Sequence, residues 1–128
     1  MTPVNNAVTN HWLTCLDSTV AGFSSAVDNK YTDTGFGMLE NMLLCMDGLL
    51  IEAYNGELLT FRGKTQSLSD WMFHFTVKVF VLSDELRMIG NERGSTGIGE
   101  QVNQIRSKVT TLCSKVSDKA RVPAARKA

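Results

Sequence analysis

The chain has no surplus of charge. Its 13 Lys and Arg residues balance 13 Asp and Glu, so no global field steers it toward nucleic acid or an anionic membrane. Cysteine is scarce and odd in number: Cys15, Cys45 and Cys113 are widely spaced and form no C-x-x-C pair. That spacing excludes a disulfide framework or zinc ligand set as a reading of the sequence. It fits three reduced, mostly buried thiols in a reducing compartment, and the expected location is cytoplasmic. The first residues, MTPVNNAVTN, lack both a basic and an apolar signal region, so no secretory leader is expected. Apolar runs break well short of the ~18 residues that cross a bilayer, and no transmembrane segment is expected.

Catalytic signatures are missing as well. Only His11 and His74 are present, and neither has a Cys, Asp or Glu at ligand spacing on its own element. A general base or a metal site would need partners brought in by the fold. The loop GSTGIG, Gly94–Gly99, resembles a phosphate cradle at a helix N-terminus. It is not a G-x-x-x-x-G-K-[ST] loop, however, and the G-x-G-x-x-G order is absent. Its plainer role is a turn whose Ser95 or Thr96 caps the next helix. No catalytic residue, metal or cofactor is assigned, and the chain is read as a non-enzyme.

What the sequence does contain is 43% apolar residues over 128 positions, enough for one domain that folds without a covalent staple. Residues 1–120 form that domain and 121–128 a basic C-terminal tail. Val4, Val8, Trp12, Leu16, Val20, Phe23 and Val27 recur every three or four residues and predict a first helix over 4–28. Gly22 is its weak point. The segment 28–37 reads as a loop by composition. Residues 38–47 favour a short helix, with Gly48 as its stop. Asn55-Gly56 between two apolar runs predicts a hairpin with strands over 49–53 and 57–61, with a helix over 49–54 as the alternative, since Leu, Glu and Ala favour helices.

The segment WMFHFTVKVFVL, residues 71–82, alternates Phe73, Phe75, Val77, Val79 and Val81 with His74, Thr76, Lys78 and Phe80. Period two in β-branched and aromatic residues predicts a strand. As a helix it would be apolar nearly all round, and a chain this short has little core to surround such a helix. Ser83-Asp84-Glu85 then reads as a turn, residues 86–90 as a returning strand, and 91–99 as a loop. Val102, Ile105, Val109, Leu112 and Val116 step 3, 4, 3, 4 and predict a last helix with a narrow apolar seam. Pro123 bars any extension of it.

The expected fold class is therefore α+β: an antiparallel four-stranded meander flanked by N- and C-terminal helices, with an all-α helical bundle as the alternative. The layout resembles small domains of the profilin and roadblock kinds in architecture alone, with no family motif matched. There is no β-α-β alternation to suggest a doubly wound nucleotide-binding sheet.

Charge is split along the chain. Residues 1–60 set Lys30 against seven carboxylates, a net of −6, and residues 106–128 set seven cations against Asp118, a net of +6. Favourable placement at a helix C-terminus explains part of the basic end. Two functional readings use the rest. In the first, the chain is a protein–protein interaction or assembly module, homodimeric or docked on an acidic protein surface. Its contacts would come from the seam Val102, Ile105, Val109, Leu112 and Val116 and from Arg106, Lys108, Lys115, Lys119 and Arg121. In the second, the basic C-terminal helix and tail contact nucleic acid. No aromatic residue lies in 101–128, so such contact would be to the backbone, blind to sequence and sensitive to salt.

Overall fold

The structure, a computed structural model, describes residues 7–28, 32–53, 57–92 and 97–119. Four helices dominate it: α1 (Ala7–Asp28), α2 (Thr32–Glu52), α3 (Leu68–Glu92) and α4 (Ile98–Lys119). One two-stranded antiparallel hairpin, β1 (Leu58–Phe61) and β2 (Lys64–Ser67), sits between α2 and α3. Among the described residues there is no four-stranded meander. The α+β expectation is overturned, and the helical-bundle alternative is the closer one. The architectural likeness to profilin and roadblock domains goes with the sheet.

Residues 71–82 explain the reversal. They lie within α3, whose buried positions are Leu68, Trp71, Met72, Phe75, Val79, Leu82, Ser83, Leu86 and Gly90. Those positions step by three and four over more than 20 residues, well beyond the nine-residue window in which the alternation shows. Phe75 and Val79 face the core, whereas Phe73, Val77 and Val81 face out. A helix that is apolar all round need not be surrounded by core: here the second stripe lies on the surface. Ser67 opens the helix by accepting a hydrogen bond from the Asp70 amide at 3.3 Å, the role of an N-cap.

The helix α2 corrects a second expectation. It begins at Thr32, inside the predicted loop, and passes through Gly48 to Glu52, taking in the predicted strand over 49–52. Its glycines mark close approach of neighbours. A Cβ on Gly35 would lie 2.6 Å from Leu86 Cδ2, and one on Gly48 would lie 2.5 Å from Trp12 Cε2. Asn55-Gly56 lies outside the described residues. The hairpin turn that is seen is Arg62-Gly63, with φ of 53° and 77°, the paired positive values of a type I′ turn. The predicted second strand is thus the first strand of the real hairpin.

The first helix continues past Gly22, but its buried line is Leu13, Leu16, Phe23 and Ala26, with Val8 exposed and Trp12 and Val20 half-buried. The predicted face was rotated by about one position. The last helix is as expected, and all five seam residues are buried. Their cover is α3 and α2, not a sheet. The turn before it, including Ser95 and Thr96, falls partly on residues 93–96, outside the described ones.

Helix directions follow from contacts. Gly35 beside Leu86 sets α2 antiparallel to α3. Arg106 bonded to Ser83, and Cys113 3.1 Å from Thr76, set α4 antiparallel to α3 as well. Hence α2 and α4 run parallel. The core is filled by Leu39, Met42 and Met46 of α2, Met72, Val79 and Leu86 of α3, and Val102, Ile105 and Val109 of α4, with α1 closing the other side through Leu13, Leu16 and Phe23. The hairpin is pinned to this core by Leu59, whose carbonyl accepts from Trp71 Nε1 at 2.9 Å, and to α1 by an Arg62–Asp17 ion pair at 2.8 Å.

Among the described residues, Asp33–Glu52 is the one helix long and apolar enough by length and composition to cross a membrane, at a mean hydropathy of 1.2. Glu40, Asn41 and Asp47 interrupt its apolar residues, so it holds no unbroken apolar run of that length. Half of that window is buried inside the protein, where it contacts each of the other three helices.

Candidate interaction surfaces

The outer face of α3 carries Phe73, 67% exposed, Val77, 45%, Val81, 51%, and Met88, 64%. The spacing i, i+4, i+8, i+15 draws them into one stripe about 22 Å long at ~1.5 Å per residue. Leaving such groups in water forgoes up to ~1.5–3 kcal/mol for each large apolar side chain that a partner could bury. An open hollow of about 520 Å³ lies along the stripe, lined by Phe73, Val77 and Val81 together with Gln66, Asp70, His74 and Lys78. Its polar edge carries the Lys78 ammonium and the Asp70 carboxylate beside Gln66 and His74. Burial, then the Lys78 and Lys64 ammoniums, hold the His74 imidazole below its ordinary value. The imidazole also meets the edges of Trp71 at 6.1 Å and Phe75 at 5.0 Å.

A second open groove, of about 450 Å³, runs between α2 and α4. Glu40, Leu43, Leu44 and Asp47 line one wall, and Lys108, Thr111, Leu112 and Lys115 the other. Leu44 is 68% exposed, and Ile51 on the same outer line of α2 is 66% exposed.

The residues singled out from the sequence separate into three groups. Val102, Ile105, Val109, Leu112 and Val116 are core; a dimer through that seam would require the bundle to open. Arg106 is occupied. It donates to Ser83 Oγ at 3.1 Å and to the Asp84 carboxylate, and lies over the Phe80 ring at 5.1 Å. Lys108 and Lys115 are exposed and share the groove with Glu40 and Asp47. The Lys119 side chain and Arg121 lie outside the described residues. The α3 stripe was missed, although its signal was present: apolar residues on both faces of one helical segment.

The thiols form no recognisable catalytic set. His11 Nε2 lies 3.7 Å from Cys15 Sγ, one helical turn away on α1, which corrects the expectation that His11 has no cysteine at ligand spacing on its own element. The next group is Cys45, buried in α2, whose thiol is pushed up to about 11 by burial and by Cys15 beside it. That environment keeps Cys45 a protonated packing group at neutral pH. Among the described residues no three His, Cys, Asp or Glu side chains cluster as metal ligands do. No protein-family model, no curated protein and no solved structure matches this chain.

Proposed function

We propose that this chain is a non-enzymatic protein–protein interaction module that docks an apolar, acid-bearing segment of a partner along the outer stripe of α3. The observation that carries the reading is the outward placement of Phe73, Val77, Val81 and Met88 on a helix already anchored by a full inner face. Helix-in-groove recognition uses anchors at this spacing. The Lys78 and Lys64 ammoniums near His74 outnumber the Asp70 carboxylate of the hollow and favour acidic residues beside the partner's apolar ones. Contact with nucleic acid through α4 is the weaker reading, because Arg106 is turned inward to Asp84 and Ser83.

Site-specific photo-crosslinking in the native source tests this. A photoreactive residue at position 77 should give a discrete protein adduct whose crosslinked peptide is apolar and acidic. The adduct should vanish with Phe73→Ser, and a probe at exposed Asn103 on α4 should not form it. Adducts of equal yield from both positions, or none from position 77, would overturn the reading.

A further inference from the structure

The groove between α2 and α4 has a charge layout that is complementary to itself. We infer that it is the face on which two copies of this chain associate about a twofold axis. This face is distinct from the α3 stripe and does not depend on it.

Since α2 and α4 both run against α3, the contacts Gly35–Leu86 and Arg106–Ser83 fix their levels. Glu40 stands level with Lys108, and Asp47 with Lys115. Both the acidic pair and the basic pair are seven residues apart, about 10.5 Å at ~1.5 Å per residue. None of the four is in an ion pair among the described residues. They border an apolar strip formed by Leu43, Leu44 and Leu112.

A twofold axis lying in this face, parallel to the two helices and between them, lays α2 of one copy over α4 of the other, running in the same direction. Glu40 of each copy then meets Lys108 of the other, and Asp47 meets Lys115. The two Leu44 side chains, now largely in water, enter the opposite grooves. Four cross-pairs form from one kind of patch, which is the condition an isologous interface must meet. No other occupant is called for by equal spacing of opposite charges on parallel helices. The face measures roughly 30 Å by 20 Å, so a dimer would bury on the order of 1,200 Å² in total, the lower end of specific interfaces. The dimer is therefore reversible and weakened by salt.

Sedimentation over a range of concentrations tests the inference, with circular dichroism to verify folding. Wild type should be a concentration-dependent dimer whose dissociation constant rises about tenfold or more from low to high salt, as the screening of four exposed pairs requires. E40K/D47K and K108E/K115E should each be monomeric, since each then presents one sign of charge on both helices. Mixed one to one they should form a dimer containing one copy of each, identified by native mass spectrometry. F73S/V77S should dimerise like wild type, which keeps this test separate from that of the α3 stripe. A monomeric wild type, a dimer in either charge-reversed variant alone, a mixture that stays monomeric, or a dimer lost in F73S/V77S would each overturn the inference.

Discussion

Trp12 of α1 closes over the backbone of α2 at Gly48, where an added Cβ would fall 2.5 Å from Cε2 and 2.7 Å from Cζ2. The indole is a rigid neighbour and cannot retract as the end of a flexible chain could. Gly48→Ala should therefore destabilise the protein by about 1–3 kcal/mol, the usual cost of overpacking, although alanine is the better helix former by ~1 kcal/mol. Gly37 is the control. It is exposed on the same helix with nothing near its hypothetical Cβ, so Gly37→Ala should stabilise by up to ~1 kcal/mol. Urea midpoints of the two variants should move in opposite directions. Similar shifts would mean that α1 and α2 do not approach as described.

Val77 and Val79 decide the backbone of the middle segment. On a strand they share a face and should respond alike to truncation. On α3 they oppose each other: Val79 is fully buried and Val77 is on the outer stripe. Val79→Ala should cost about 2 kcal/mol, from lost burial and the cavity left behind. Val77→Ala should stay within ~0.5 kcal/mol. Equal costs in denaturant unfolding would restore the strand.

That pair also shows what was legible in the sequence. The last helix could be read because its outward residues are polar, so Val102 to Val116 stand out against them. The first could be read nearly as well, with its face displaced by about one position. The middle could not, for two reasons. In α3 the exposed stripe is apolar too, and it erased the polar face that reveals a helix. In α2 the glycines that admit Trp12 and Leu86 looked like loop and stop signals, because closeness to a distant side chain is invisible from the local sequence. The same limit hid the α2–α4 groove. Glu40, Asp47, Lys108 and Lys115 are ordinary surface charges until the fold sets the two helices side by side. The split charge of the chain was legible, but its arrangement across a single face was not.

Arg106 and Lys108 were alike in the sequence and differ in the structure. The Arg106 guanidinium bonds Ser83 Oγ, buried in α3, and the Asp84 carboxylate, and stacks on Phe80. Removing it leaves the Asp84 charge paired with Arg87 alone and strips the Ser83 hydroxyl of its donor. Arg106→Ala should cost about 1–3 kcal/mol, while Lys108→Ala should change monomer stability by less than ~0.5 kcal/mol. Thermal or urea unfolding at protein concentrations below association measures both. A neutral Arg106→Ala would remove the α3–α4 tie from the account.

His74 links the α3 stripe to pH. Its folded value lies below the ordinary 6.5 because burial, then Lys78 and Lys64, disfavour the charged ring. The unfolded chain therefore binds the proton at higher pH than the folded one does. Stability on this account is fully present above pH 6.5 and falls as pH drops through the folded value. Titrating the His74 ring by NMR should give a midpoint below 6.5. Lys78→Met should raise it only in part, since burial is the larger cause and remains. An acidic partner side chain placed beside the ring would offset the two ammoniums and, where it outweighs the burial that docking adds, raise the value, so proton uptake on binding marks an acidic contact at His74. Calorimetric titration in buffers of different ionisation enthalpy would register that uptake. A midpoint at or above 6.5 in the free protein would remove the two ammoniums from the argument for an acidic partner.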